Sequence, residues 1–501
     1  MLLRANHNDL PRSSHDHRIT ADILAFFCGE LGAKTSHNML GFNDFSHFRL
    51  RPAWRIETPR ANTNDFKLTL TMSNQPNLPN GFSIREGTLF CEGMSATSLA
   101  TQFSTPLYVY SQSAIETAFH SWSDAFKGAD HLICYAVKAN SNIAILRLLA
   151  ALGSGFDIVS GGELLRVLAA GGDARKVVFS GVGKTQSEIK LALENHIRCF
   201  NVESVSELRL IEQIAIRLGT VAPVSIRINP DVDAKTHPYI STGLKDNKFG
   251  VDASTAVDMY TMAQASDALL PVGIDCHIGS QLTEIEPFID SVKHLKSVVL
   301  TLRSMGITLR HIDIGGGLGI TYQDEEVPTA AALISAVREQ LDPLEMELMI
   351  EPGRSIVGNA GALLTQVLVI KEGETKNFAI VDAAMNDLMR PSLYSAWQAI
   401  VEAQFESGTQ TPYDVVGPVC ETGDFLGKDR QLSINEGDFL AVLGAGAYGF
   451  AMSSNYNSRP RSSEVLVNGA EAHLIRQRER VEDLWAQEIL PKHLRSSPNE
   501  D

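Results

Sequence analysis

A single lysine, Lys138, ends a short apolar run that begins at Leu132. The run is rich in residues that favour β-structure, so it predicts a buried strand with the lysine at its carboxyl end. Burial lowers the pKa of an ammonium group and makes the neutral amine available as a nucleophile. Such an amine can form a Schiff base with a carbonyl compound. The alternative is a lysine that snorkels from the strand end into water.

Other reactive side chains also follow short apolar runs. Glu351 comes after residues 348–350 and could hydrogen-bond a pyridinium nitrogen. Arg354, three residues later, could bind a carboxylate or phosphate, although a structural salt bridge with Glu351 is the alternative. His277 could stack on a flat ring or be a satisfied core histidine. Asp157 could contact a cofactor or a neighbouring strand end.

The run Gly315, Gly316 and Gly317 follows another predicted strand. Exposed amides in a glycine-rich loop form a concavity suited to a phosphate, although a merely flexible loop has the same composition. A Schiff-base lysine, an acid for a ring nitrogen and a phosphate loop are what pyridoxal phosphate requires. The strand ends therefore predict this cofactor.

The C-terminal part offers three further groups. Cys420 stands beside Glu421, and its thiol could deliver a proton, although a lone buried cysteine is the structural alternative. Arg390 and Tyr394 could bind a polar ligand. The glycine-rich segment 444–449 predicts a turn that presents Tyr448.

Eight short β-rich runs, each followed by a helix-like segment, position most of these residues. The alternation predicts an α/β fold with a parallel sheet, and its length suits a (β/α)8 TIM-type barrel of about 250 residues, with a doubly wound open sheet as the alternative. In such a barrel the functional groups lie at the carboxyl ends of the strands. The predicted strands span residues 133–137, 156–159, 177–179, 198–202, 224–228, 273–277, 311–314 and 347–350.

After Arg354 the pattern changes to short β-rich segments separated by turn residues. This sequence pattern predicts a C-terminal, mostly-β domain. Residues 82–110 are expected to add strands to it before the chain enters the barrel, which makes the β-domain discontinuous. The predicted organisation is an extension at 1–71, N-terminal strands of the β-domain at 72–110, the barrel at 111–354, the β-domain at 355–490 and a flexible tail at 491–501.

Composition excludes several classes of protein. A net charge of −16 argues against nucleic acid or an anionic membrane as partner. No apolar run approaches the roughly 20 residues of a membrane span. The six cysteines are scattered, so neither a zinc site nor a disulfide framework is predicted, no metal is expected, and reduced cytoplasmic thiols are the simplest account.

The first 71 residues contain seven acidic side chains and no basic start leading into a long apolar core. A secretory signal and an organellar transit peptide are therefore not predicted. We expect a poorly ordered, dispensable extension before a plausible start at Met72; the alternative is a small accessory domain.

The motifs together resemble the fold-type III pyridoxal-phosphate decarboxylases, most closely the diaminopimelate decarboxylases. The likeness covers roughly residues 80–490. Thr422 and Gly423 differ mildly from the serine-containing form expected after the Cys-Glu pair. The matching motifs, in family order, are YAVKAN at 135–140, GFDIVSGGE at 155–163, FSGVGKT at 179–185, HPYISTG at 237–243, KFG at 248–250, HIGSQ at 277–281, DIGGG at 313–317, EPGR at 351–354, RPSLY at 390–394, CE at 420–421 and GAYG at 446–449.

The resemblance implies a role for each matching position. Lys138 would carry the Schiff base, and Cys420 would act as the proton donor. The substrate, meso-diaminopimelate, would be held by Arg354, Arg390, Tyr394, Glu421 and Tyr448. The cofactor pyridoxal 5'-phosphate would be bound by Lys138, Asp157, His277, Ser280, Gly315, Gly316, Gly317, Glu351, Gly353, Arg354 and Tyr448.

The resemblance also implies a homodimer, because the Cys-Glu loop of this family reaches the active site of the other subunit. The expected reaction gives L-lysine and carbon dioxide, the last step of lysine biosynthesis. A decarboxylase of ornithine, arginine or carboxynorspermidine is the alternative within the class. A catalytically inactive regulatory paralogue is the alternative from another class.

Overall fold

The computed structural model describes residues 78–232, 242, 247–405 and 407–495. The predicted extension at 1–71 lies outside the described residues. So do residues 496–501 of the predicted tail and, apart from Thr242, the HPYISTG motif.

The described chain begins with a three-stranded antiparallel sheet of β1 (Phe82–Arg85), β2 (Thr88–Cys91) and β3 (Met94–Ser95). Helix α1 (Ala96–Phe103) follows and is capped by the Ser95 hydroxyl, which accepts a hydrogen bond from a backbone amide of the first turn. Strand β4 (Leu107–Ser111) comes next and is fully buried.

Eight parallel strands then form a closed barrel, which confirms the predicted fold class. Every predicted strand of the barrel is present, and the barrel closes where the last strand pairs with the first. The strands are β5 (His131–Ala136), β6 (Gly155–Ile158), β7 (Val177–Phe179), β8 (Cys199–Val202), β9 (Ala222–Arg227), β10 (Leu269–Asp275), β11 (His311–Asp313) and β12 (Glu347–Ile350).

Helices lie between the strands of the barrel and cover it. Many begin at a side-chain cap: the Ser160, Thr185 and Ser204 hydroxyls each accept from an amide in the first helical turn. The helices are α2 (Gln112–Ala125), α3 (Ile143–Ala151), α4 (Gly161–Ala169), α5 (Gln186–Glu194), α6 (Val205–Leu218), α7 (Ala253–Gln264), α8 (Glu286–Ser304), α9 (Ala330–Leu341) and the short α10 (Arg354–Val357).

The helices stay on the barrel because each buries one apolar face. In α6, Leu208, Ile211 and Ala215 are spaced three and four residues apart and are all buried. Equivalent side chains of the other helices and of the strands belong to the same core cluster. This packing keeps the strand ends, and the side chains that follow them, in fixed positions.

The described residues after the barrel form the mostly-β domain. Its elements are β13 (Gly361–Lys371), β14 (Asn377–Val381), α11 (Arg390–Tyr394), β15 (Ile400–Glu402), β16 (Thr411–Val416), β17 (Phe425–Leu432), β18 (Phe439–Val442), β19 (Ser463–Asn468) and β20 (Glu471–Arg476). Its sheet runs in the order β17-β16-β14-β13-β4-β19-β20, and β18 pairs with both β13 and β15.

Strand β4 lies inside this sheet although it precedes the barrel in the sequence. It pairs antiparallel with β13 and parallel with β19. The β-domain is therefore assembled from chain on both sides of the barrel.

Hydrogen bonds tie the β-domain to the loop that carries Lys138. The Tyr448 amide donates to the Ala139 carbonyl at 2.8 Å. The Asn140 side chain donates to the Gly446 carbonyl at 3.2 Å, and Asn142 donates to buried Glu464 at 2.9 Å. The position of Lys138 thus depends on both domains.

No helix in the described part of the chain is both long enough and apolar enough to cross a membrane.

Candidate active site

Lys138 lies in a short 3-10 turn, Val137–Ala139, directly after β5. Its Nζ is 2.6 Å from Oδ2 of Asp157, a fully buried residue of the neighbouring strand β6. Burial on its own lowers the pKa of Lys138, but the negative charges of Asp157 and Glu351 outweigh it and raise the pKa above its usual range. The sequence-based expectation of a lowered pKa is therefore wrong for this arrangement, because it left out the neighbouring carboxylates.

Glu351 follows β12 and is 4% exposed. Carboxylate oxygens of Glu351, Asp275 and Asp313 lie within 4.8 Å of one another. Burial, reinforced by nearby Asp157, Asp313 and Asp275, raises the pKa of Glu351 well above its usual range. The alternative interpretation, a salt bridge between Glu351 and Arg354, is not found among the described contacts. Glu351 instead lies within a group of buried acids that disfavours its charged form.

Polar side chains fix Glu351 from the side of the barrel interior. Asn201 Nδ2 lies 3.3 Å from Glu351 Oε1, and Ser180 Oγ lies 3.5 Å from the same oxygen. Both residues are buried; Ser180 directly follows β7, and Asn201 lies in β8, one residue before its end. Sequence reasoning did not single them out, although their position in or just after predicted strands was a usable signal.

Arg227 provides a cation at the edge of the acidic group. Its guanidinium lies 3.2 Å from Glu203 and 3.9 Å from Asp275, and all three residues are buried. Sequence reasoning missed these residues as well. Arg227 and Asp275 end the adjacent strands β9 and β10, and Glu203 directly follows β8.

His277 lies two residues beyond β10, and burial lowers the pKa of its imidazole well below the usual range. The Gly316 amide lies 3.1 Å from Nδ1 and donates to it, so the neutral ring carries its proton on Nε2. The imidazole is thus held in one tautomer by the loop that follows β11.

The predicted glycine loop packs tightly against the neighbouring strand ends. Gly315 has a φ of +69°, and an added Cβ would lie 2.4 Å from the Cys276 carbonyl oxygen. A Cβ on Gly316 would lie 2.2 Å from the Glu351 carbonyl oxygen. These glycines are needed for contacts between backbones. A Cβ on Gly317 would lie 2.6 Å from the Gly279 carbonyl oxygen, and a Cβ on Gly353 would lie 3.0 Å from the Ala139 Cβ.

Arg354 is 4% exposed and donates hydrogen bonds to uncharged hydroxyl groups. Its Nη1 donates to the Tyr322 hydroxyl at 2.7 Å, and its Nη2 donates to the Ser280 hydroxyl at 2.9 Å. The guanidinium also lies over the Tyr448 ring, 4.9 Å from the centroid. Tyr322 was not predicted as a site residue, because no charge or motif sets it apart.

Arg390 and Tyr394 begin and end α11. The Arg390 guanidinium lies 5.6 Å from the Tyr394 ring centroid and 5.5 Å from that of Tyr322. Because Tyr322 also contacts Arg354, the predicted pair Arg390 and Tyr394 lies close to Arg354.

Cys420 and Glu421 are exposed in the loop between β16 and β17. The Cys420 amide lies 3.3 Å from Asn457 Oδ1, and Glu421 is hydrogen-bonded to the Tyr456 hydroxyl. No contact of this loop with Lys138 or Glu351 is found among the described residues. Within one chain, the predicted proton donor is not brought to the predicted Schiff-base lysine.

Residues 112–358 match the family model of the pyridoxal-dependent decarboxylase, pyridoxal binding domain. The diaminopimelate decarboxylase of Pseudomonas aeruginosa is 56% identical over 409 residues, which cover 82% of this chain and 99% of that relative. The chain belongs to the diaminopimelate decarboxylase family. The resemblance drawn from the motifs is thereby confirmed.

Solved structures of the family share the fold. The diaminopimelate decarboxylase of Helicobacter pylori, complexed with L-lysine, has a TM-score of 0.76 and 48% identity, covering 78% of this chain and 98% of its own. The enzyme of M. jannaschii, also in complex with L-lysine, has a TM-score of 0.80 and 42% identity, covering 83% of this chain and 99% of its own.

Proposed function

We propose that this protein decarboxylates meso-diaminopimelate to L-lysine and carbon dioxide with pyridoxal phosphate as cofactor. One observation carries the proposal: Lys138, a buried acid with a raised pKa and Arg354 follow the carboxyl ends of barrel strands, and Arg390 lies beside Arg354 at Tyr322. These strand ends are where barrel enzymes place their chemistry.

The residues present fit the cofactor. Several buried polar atoms have no hydrogen-bond partner among the described residues, including Asp157 Oδ1, Asp313 Oδ2 and Arg354 Nε. Buried polar atoms are normally paired, so these atoms are suited to a polar group that binds between them. Lys138 would hold the aldehyde carbon, Glu351 the ring nitrogen and His277 the ring face. Asp157, Ser280, Gly315, Gly316, Gly317, Gly353, Arg354 and Tyr448 would complete the binding site.

When bound, pyridoxal phosphate supplies an electron sink for the bond that breaks. Glu351 would hydrogen-bond the ring nitrogen, and the burial and adjacent acids that raise its pKa favour a proton shared between the two groups. His277 presents a neutral ring. Asp157 keeps the Lys138 ammonium paired until the amine is needed. The protein thus holds its protons where the chemistry requires them.

The two arginines are suited to the carboxylates of the substrate. Arg354 and Arg390 are 4% and 5% exposed, and neither has a carboxylate partner among the described residues. A buried, unpaired cation is costly, so an incoming carboxylate gains a strong interaction there. We assign Arg390 to the distal carboxylate, with Tyr394 and Tyr448 beside the substrate and Glu421 for the distal ammonium.

The proposal includes a homodimer in which Cys420 and Glu421 act in the active site of the partner subunit. Their exposure, together with the lack of described contacts to Lys138, supports it. Cys420 would then protonate the α-carbon. A cytoplasmic location is also proposed, supported by the five free cysteines of the described chain.

A product assay tests the proposal. Purified protein loaded with pyridoxal phosphate is given meso-diaminopimelate, ornithine or arginine, and released carbon dioxide and L-lysine are measured. We expect turnover of diaminopimelate alone. Preferential release of carbon dioxide from ornithine or arginine would overturn the substrate assignment.

A further inference from the structure

Five side chains at the active site alternate between aromatic rings and guanidinium groups, and we call them the arginine–tyrosine ladder. Arg354 lies 4.9 Å from the ring centroid of Tyr448 and 5.9 Å from that of Tyr322. Arg390 lies 5.5 Å from the Tyr322 centroid and 5.6 Å from the Tyr394 centroid. Tyr322 is the ring that both arginines share.

The shared ring lies between two buried like charges. Such charges repel, and an aromatic face attracts a cation within about 6 Å of its centroid. The Tyr322 hydroxyl also accepts a hydrogen bond from Arg354 Nη1 at 2.7 Å. The ring therefore holds the two guanidinium groups near each other without neutralising either of them.

The backbone of Tyr322 is itself fixed. Its amide donates to Glu325 Oε2 at 2.8 Å, and the Gln323 amide donates to the same oxygen at 2.8 Å. These hydrogen bonds lower the pKa of Glu325 despite the opposing effect of its partial burial, so the carboxylate stays charged and bound. Gly444 stands behind the ring, where an added Cβ would lie 3.2 Å from two ring atoms.

Tyr322 also lies between the two arginines and a cavity of about 410 Å³, which Tyr322 itself helps to line. The other lining residues, such as Thr117, Ser121 and Asn359, come from the barrel and the β-domain. A smaller side chain at 322 would join this cavity to the space around the arginines. The guanidinium groups could then move apart into the added volume.

We propose that Tyr322 is a positioning residue that sets the spacing of Arg354 and Arg390 and thereby favours a substrate with a second carboxylate. This inference rests on the proposed function and deepens it, because it explains how one pocket favours a ligand with two carboxylates over a diamine of similar length with none, such as cadaverine. Tyr322 acts through the arginines and needs no contact with the reacting atoms.

The test compares Tyr322→Phe and Tyr322→Leu in the cofactor-loaded enzyme. The phenylalanine keeps the ring and removes the hydroxyl, whereas the leucine removes both. Gln323→Ala is the matched control, because Gln323 is the exposed next residue and lines the same cavity. Kinetics on meso-diaminopimelate give kcat and KM. Calorimetry gives the Kd of pimelate, a dicarboxylate probe, and of cadaverine, a diamine without a carboxylate.

For Tyr322→Leu we expect KM for diaminopimelate and Kd for pimelate to rise about tenfold or more, because two cation–π contacts and a hydrogen bond are lost. The Kd for cadaverine should stay within about twofold, and Tyr322→Phe should recover most of the loss, leaving about a threefold effect. Gln323→Ala should match the wild type.

Equal weakening of pimelate and cadaverine, or no change in Tyr322→Leu, would overturn the positioning role. If Tyr322→Leu does not fold, the phenylalanine variant still decides, since selective weakening of pimelate supports the role and unchanged or equal weakening refutes it. A wild-type enzyme that does not convert diaminopimelate would refute the proposed function instead, and the two calorimetric titrations would still report on the ladder.

Discussion

Lys138 Nζ lies 2.6 Å from Asp157 Oδ2, so the amine that follows the first barrel strand is paired with a carboxylate from the second. Burial alone would lower the pKa of Lys138, and the charge of Asp157 is the first of the opposing effects that raise it. The state of the amine is therefore set by a residue nineteen positions along the chain.

Replacing Asp157 by asparagine should lower the pKa of Lys138, since a close opposite charge is lost. A group whose pKa falls becomes neutral at lower pH. The rate at which the apoenzyme binds pyridoxal phosphate is measured as a function of pH through the absorbance of the bound cofactor. The pH at which this rate is half-maximal should therefore fall. Asp173→Asn, which breaks a surface ion pair with Arg175, is the control. An unchanged pH midpoint in Asp157→Asn would contradict the assignment.

Replacing Lys138 by alanine should abolish covalent attachment of the cofactor and nearly all turnover, because no other amine stands at this position. Reduction with borohydride followed by peptide mass mapping checks the attachment. The control is Lys293→Ala, which removes an exposed lysine paired with Asp290. Substantial remaining activity would show that Lys138 is not the Schiff-base lysine.

Replacing Glu351 by glutamine should leave the cofactor bound but depress kcat by about a hundredfold or more, since an amide cannot supply a proton to the ring nitrogen. Cofactor absorbance and kcat are measured together. Glu339→Gln, an exposed position of α9, should behave as wild type. Turnover that survives in Glu351→Gln would assign Glu351 a structural role.

The shared active site is tested by mixing two inactive variants, Lys138→Ala and Cys420→Ala. If each site combines both residues from different subunits, a mixed dimer has one intact site. Equal mixing gives about half mixed dimers, so activity should recover to about a quarter of wild type. Native mass spectrometry monitors subunit exchange, and exchange without recovery would place both residues in one subunit's site.

Deleting residues 1–71 should leave kcat and Tm nearly unchanged, because the segment has no core-forming pattern. The match to the P. aeruginosa relative uses 409 residues of this chain and covers 99% of that relative. The relative therefore has almost no sequence left to correspond to the other residues of this chain. Steady-state kinetics and thermal unfolding of the shortened enzyme provide the measurement. A large fall in either would support the alternative of an accessory domain.

The barrel could be predicted because buried parallel strands are nearly continuous apolar runs, as in residues 347–350, and because glycines and polar residues follow them. The same logic placed Lys138, His277 and Glu351 at strand ends, where the structure has them. Periodicity and local composition depend only on residues that are close in the sequence, so a single sequence is enough to determine them.

The missed residues depend on contacts between distant segments. Tyr322 lies in a polar loop, and its importance comes from Arg354 and Arg390, which belong to other parts of the chain. The raised pKa of Lys138 has the same origin, because burial was foreseen but the adjacent charge of Asp157 was not. For Asn201 and Arg227, the only sequence signal of a functional role was their place at or near the end of a strand.

Strand β4 leaves the ribosome before the barrel is made, yet both of its sheet partners, β13 and β19, are translated after the barrel. During synthesis, the nascent chain therefore carries an apolar strand with two unpaired edges while the barrel is completed. Such edges pair readily with other chains. Translation speed and chaperone access through this interval should accordingly control the yield of native enzyme, and a barrel expressed without its C-terminal partner strands would leave the same edges exposed.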